Sequence, residues 1–295
     1  MPASVPVNPA ERIDAIDVLR GLALFGVLAI NVVMEFRVSI FEQFLPAANS
    51  ASPLDRIVQT FLTMAIELKA LALFSFLFGV GLAIQFERLA NNPRRTTLLV
   101  RRLAVLLMIG LGHLYLMWNG DILTQYAVAG FVVLPFLWAP RWLLAAAASL
   151  LLALYLVMPL LPPVVPWPMT SWMRGHVVEA KQVYGTGGFI DILMFRIREV
   201  PAFLPLHVAI FPRTAALFLF GMLFWRTDTL RRLDTHGDLL SVVAIVGVVV
   251  GCGLTIAAEG RDLPGLPPLG WAQFSLERLA EVVLATGYEI GRAHV

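Results

Sequence analysis

Cysteine is all but missing from this chain: among 295 residues there is one, Cys252, in the apolar run VVVGCGLTIAA. That excludes a disulfide framework or a thiolate-based metal site within one chain, and leaves Cys252 as a small packing residue. Charge is scarce as well, with Asp, Glu, Lys and Arg at 14% against about 25% in soluble domains. A formal net charge of +2 gives no basis for a nucleic-acid partner. The N-terminal stretch MPASVPVNPAERIDAID carries Glu11, Asp14 and Asp17 ahead of a long apolar segment, so it does not match a cleavable signal peptide. No internal repeat, low-complexity tract or His/Cys/Asp grouping with metal spacing is found in the sequence.

What the chain has instead is apolar length. Hydrophobic residues make up 59% and the mean hydropathy is +0.79, which implies an all-α, polytopic transmembrane helix bundle. About 20 apolar residues cross a bilayer, and the spans read as Leu19 to Phe36, the end of Ile57 to Phe86, Leu103 to Trp118, Ile122 to Ala139, Trp142 to Leu161, Leu206 to Trp225 and Leu239 to Ala258. The second of these is too long for one upright crossing, so Ile57 through Glu67 and Lys69 reads as an amphipathic or tilted lead-in. Trp271 begins an eighth, truncated span. Residues 1–288 thus form one transmembrane domain, and Glu289 to Val295, EIGRAHV, reads as a non-native, adapter-derived tail that is set aside.

Arginines set the orientation. Arg88, Arg94, Arg95, Arg101 and Arg102 lie around the second connection, Arg141 after the fourth span, and Arg226, Arg231 and Arg232 after the sixth. All fall on one side by alternation, and the positive-inside rule makes that side cytoplasmic, together with the N-terminus. The connections at Glu42, at Asn119-Gly120 and from Pro162 to Glu199 are then extracytoplasmic. The last is the longest; its proline-broken start reads as extended chain, and GGFIDILMFRIREV, with apolar residues at helical spacing opposite its Asp191, Arg196 and Arg198, as an interfacial helix.

Polar residues inside such spans are candidate functional groups. Asp17, Arg20 and Asn31 share roughly one 60° sector of the first span, since each residue advances about 100°; the stripe faces a cavity or simply joins helices. His113 and Tyr126 flank the tight turn WNGD, with Asp121 at its mouth. His113 is either a general base whose tautomer a carboxylate fixes, or a neutral ring bonded to a carbonyl; Asp121 or Tyr126 is its partner. Arg213 follows Pro212 and sits either at membrane depth, where it wants an anion, or at the start of a span, where it snorkels; Lys69 poses the same choice. Ser75, Gly79 and Gly81 in FSFLFGVGLA are packing residues, not a phosphate loop. His176, Glu179 and Tyr184 fall in the long extracytoplasmic connection and His236 in a cytoplasmic one.

Four blocks, RIDAIDVLRGLALFGVLAIN, KALALFSFLFGVGLAIQFER, RRLAVLLMIGLGHLYLMWNGDILTQYAVAG and RTAALFLFGMLFWRTDTL, resemble the YeiB-like family of bacterial membrane proteins, domain of unknown function 418. More distantly the chain is similar to transmembrane acyltransferases, including heparan-glucosaminide acetyltransferases and bacterial enzymes that acylate envelope glycans from coenzyme A. The shared pattern is Asp-x-x-Arg-Gly at Asp17, Arg20 and Gly21. Where the bacterial enzymes carry a histidine eleven residues after that arginine, this chain has Asn31; the glucosaminide enzymes have Asn there and a histidine near the position of Glu42. The resemblance implies a bacterial inner-membrane acyltransferase taking acyl-CoA as donor, without a metal, and an envelope glycan or lipid as acceptor. Arg20, Arg101 and Arg102 would meet coenzyme A phosphates; Asn31, Lys69, Tyr126 and Arg213 would line the substrate path; His113 and Asp121 would be catalytic. A small-solute transporter or a non-catalytic assembly protein uses the same buried polar groups, and the oligomeric state stays open.

Overall fold

In lipid, a backbone polar group without a partner is so costly that apolar runs fold as helices, and the run lengths here set the elements. The structure, a computed structural model, describes residues 21, 23–29, 31, 32, 38–45 and 69–228. Asp17, Arg20, most of the lead-in, His236, Cys252, Leu239 to Ala258 and everything from Trp271 lie outside the described residues. Among the described residues there is no strand. Those described between 21 and 32 are helical, with Ala23 buried in the main core.

Seven helices follow: α1 (Lys69–Arg88), α2 (Arg95–Gly112), α3 (Leu123–Val133), α4 (Arg141–Val157), α5 (Thr170–Thr186), α6 (Phe189–Glu199) and α7 (Leu204–Arg226). Among the described residues, four runs are long and apolar enough to cross a membrane: Leu71–Arg88, Arg95–Met117, Arg141–Leu160 and Phe189–Arg226. They overlap the second, third, fifth and sixth expected spans, the run at the third starting earlier, at Arg95, and the last extending back to Phe189. The fourth is shorter than expected, ending as the 15-residue run Leu123–Leu137. At 1.5 Å per residue it covers about 22 Å, against about 30 Å of hydrocarbon. Its ends are set by the Asp121 cap and by Pro135, which turns the last residues into a tighter 3-10 coil.

The long connection holds more helix than expected. α5 fills its middle, and α6 is not a detached interfacial helix, because it runs through a 3-10 turn at Val200–Phe203 directly into α7. Pro201 and Pro205 each sit in the first turn of their segment, where a missing N–H costs nothing.

α7 is the central element, packed against α1, α3 and α4, while α2 pairs with α3. Phe218, Leu219 and Met222 of α7 are fully buried. At Gly79 of α1 an added Cβ would collide with the Phe218 carbonyl, and at Gly221 of α7 with the Phe76 carbonyl. Small residues let the two backbones meet, which is how helices associate where no hydrophobic drive exists. On the outer faces, Met108, Leu150 and Trp142 are about 70% exposed, as expected of residues that meet lipid.

The ends differ in chemistry. At one, Arg95 lies over Phe86, which is edge-on to Trp138; Arg226 donates to the Ala139 carbonyl at 2.6 Å, Arg141 donates to the Arg226 carbonyl, and Trp225 donates to Glu87 at 2.7 Å. The other end carries the Asn119 turn, the segment 38–45, α5 and α6. There a small second core forms from Phe41, Met173, Val177 and Phe203.

Candidate functional site

His113 opens a π-helical turn, His113–Met117, that finishes α2, closed where Trp118 N–H donates to the His113 carbonyl at 2.9 Å. The chain then reverses through Asn119 and Gly120 to Asp121. The Asp121 carboxylate is fully buried and accepts from the backbone N–H groups of Leu123 at 3.1 Å and Thr124 at 2.8 Å, supplying two of the four orphan donors of α3. Its Oδ1 also stands 3.2 Å from His113 Nδ1, at ion-pair distance but without hydrogen-bond alignment. The His113 side chain is 31% exposed. An accessible imidazole beside an anchored carboxylate is arranged for proton transfer.

Asn119 connects this pair to a second one. Its amide donates to Glu199 Oε2, while Glu199 Oε1 accepts from Ser39 Oγ at 3.3 Å and lies 2.6 Å from His176 Nε2. Glu199 ends α6, His176 is in the middle of α5, and Ser39 caps the 3-10 turn Ile40–Phe44. All four side chains are buried. The His176 ring is stacked between Trp172 at 4.6 Å and Phe195 at 4.8 Å, with Phe41 edge-on at 5.4 Å. Ser39, Asn119 and Glu199 were not singled out by sequence, and His176 only as a loop residue. Residues 23 apart on separate helices leave no spacing signal, and the apolar setting of α6 gave the only hint that Glu199 is buried.

Other candidates scatter. Tyr126 does not reach His113; its hydroxyl is 2.6 Å from Ser75 Oγ and donates to the Leu71 carbonyl at 3.0 Å. Arg213 is buried well inside α7, which begins at Leu204 and runs through Pro212, so it does not start a span; its guanidinium lies 5.7 Å from the Tyr155 ring centroid. Arg101 and Arg102 are exposed on α2, Asn31 is half-buried, and Lys69 is the first residue of α1. Among the described residues no group of three His, Cys, Asp or Glu is placed to hold a metal.

Comparison with known proteins finds relatives that are themselves uncharacterised. The chain is 34% identical over 285 residues to the uncharacterised protein YxaH of Bacillus subtilis, a match covering 87% of this chain and 68% of YxaH. It is 36% identical over 132 residues to an uncharacterised 39.9 kDa protein from the amylase 3' region of Bacillus acidopullulyticus, and 33% over 123 residues to the uncharacterised protein YeiB of Escherichia coli. Those matches cover 44% and 41% of this chain, and 36% and 30% of the two relatives. No family model and no solved structure matches the chain.

Proposed function

The chain belongs to the YeiB-like family, with YxaH and YeiB as relatives, and from that premise we propose that it transfers an acyl group from cytoplasmic acyl-CoA to an acceptor on the far side of the bacterial inner membrane. The observation that carries the reading is His113, accessible and 3.2 Å from the buried Asp121. In this mechanism His113 takes the proton from the acceptor hydroxyl or amine, the acceptor attacks the thioester carbonyl, and the thiolate leaves with that proton. Asp121 stabilises the imidazolium.

Orientation is part of the proposal. The arginine-bearing end faces the cytoplasm, where Arg20, Arg101 and Arg102 meet coenzyme A phosphates as point charges and forks. The histidine-bearing end then faces out, toward an envelope glycan or lipid.

The test is equilibrium binding of acetyl-CoA to the purified chain in detergent, with Arg20→Ala and His113→Ala alongside. Saturable binding that Arg20→Ala abolishes and His113→Ala retains, with thioester turnover lost in His113→Ala, is expected. No binding at near-millimolar ligand, or solute flux through vesicles in the absence of coenzyme A, overturns the reading.

A further inference from the structure

The His176 cluster is more tightly built than the His113 pair, and acyl transfer at His113 and Asp121 makes no use of it. Three donors, from Ser39, Asn119 and His176, converge on the one carboxylate of Glu199. Burying a carboxylate costs several kcal/mol even after relaxation, and apolar replacements of the same volume pack at no such cost. A histidine serving only as packing would not need Glu199 beneath it.

In the neutral ring with Glu199 accepting at Nε2, the hydrogen sits on that nitrogen and Nδ1 is the remaining acceptor. The two stacked aromatics, within 13° of parallel to the ring, hold its orientation. The ring lines a pocket of about 360 Å³ together with Trp172, Gly175, Glu179, Phe195 and Arg198, a volume in the range of small-ligand sites. Glu179 and Arg198 are paired to each other at 3.0 Å, so neither charge is left to select an ion. The cluster also contains a buried acceptor with no partner, Asn119 Oδ1. What the pocket's lining offers is therefore one ring acceptor, an aromatic wall and charges that cancel in the Glu179–Arg198 pair.

We propose that the pocket between α5 and α6 binds a neutral, hydroxyl-bearing ligand with an apolar flank, its hydroxyl donating to His176 Nδ1 while Glu199 acts as the positioning residue that fixes the tautomer. Binding requires neither a thioester nor His113, so it stands apart from acyl transfer.

The experiment is 15N NMR of histidine-labelled chain in lipid nanodiscs, with myo-inositol as the neutral probe and glycerol 3-phosphate and ethanolamine as charged comparators. His176 is assigned by its disappearance in His176→Asn. Expected are a protonated Nε2 and an unprotonated Nδ1, with the Nδ1 resonance shifting saturably by about 50 mM inositol, the weak affinity that one hydrogen bond and one aromatic wall support. In Glu199→Gln the amide N–H₂ faces the ring, so the tautomer reverses and the inositol shift is lost. Trp172→Ala keeps the tautomer and weakens the inositol response about tenfold, roughly 1.4 kcal/mol for one aromatic face. This second variant stands in if Glu199→Gln does not fold. A protonated Nδ1 in the unsubstituted chain, no shift with inositol, or a shift with glycerol 3-phosphate or ethanolamine instead overturns the proposal.

Discussion

Asp121 shows how one side chain at this site serves the fold and the chemistry at once. Its two oxygens cap α3 through Leu123 and Thr124, and one of them also faces His113. The two roles separate by substitution. Asp121→Ala removes both caps and destabilises the chain by about 1–2 kcal/mol, read as a lower unfolding midpoint in detergent. Asp121→Asn keeps one cap through its carbonyl oxygen and turns an N–H₂ toward the other backbone N–H, so about 0.5–1 kcal/mol is lost, whereas the proposed transfer rate falls by about a hundredfold or more with the loss of the charge facing His113. Equal loss of both properties in Asp121→Asn would assign Asp121 to the fold alone. The closeness of His113 and Asp121 was readable in the sequence because WNGD leaves too few residues for anything but a tight reversal. Glu199 and His176 were not, since their approach depends on how α5 and α6 fold back on each other, which no spacing along the chain encodes.

Elements were legible where hydrophobic length decides them. The runs behind α1, α2, α4 and α7 are bounded by arginines or prolines, and their observed ends lie close to the expected ones except that α2 starts at Arg95, eight residues before the expected Leu103. α5 was missed because Pro162 to Pro168 dominate the reading of that connection, while His176, Glu179 and Lys181 within it gave no apolar run to count. The small residues of α1 were read as packing, and the α1/α7 crossing shows what they pack against. Gly79→Val places a branched side chain into the Phe218 backbone, which has no rotamer to move, so a loss of about 3 kcal/mol is expected, the upper end for overpacking. Gly112→Ala is the control: nothing lies within 4 Å of a Cβ there, and the helix gains about 1 kcal/mol from the better former. Thermal unfolding of the two variants in the same detergent checks both signs. If Gly79→Val matches the unsubstituted chain, α1 and α7 do not touch at this crossing.

At the scale of the whole molecule, the two ends carry different chemistry, and the proposed function depends on which compartment each one meets. Arginines 88, 94, 95, 141 and 226 gather at one end and the two histidine–carboxylate pairs at the other. With Cys252→Ala giving a cysteine-free chain, Asn91→Cys in the arginine-end turn and Val164→Cys in the connection after α4 report the two sides, both positions being exposed. A membrane-impermeant maleimide applied to intact cells should label Val164→Cys and leave Asn91→Cys unlabelled until the membrane is opened. The reverse pattern would put both histidine pairs in the cytoplasm. Donor thioester and acceptor would then meet on the same side as the coenzyme A pool, and the buried polar groups between the ends, Ser75, Tyr126 and Arg213, would have no group to pass across the bilayer. Labelling on the expected sides instead requires the thioester, carried on the arm of a coenzyme A whose phosphates stay at the arginine end, to reach His113 through the bundle, so the polar residues between its ends become the next positions to substitute.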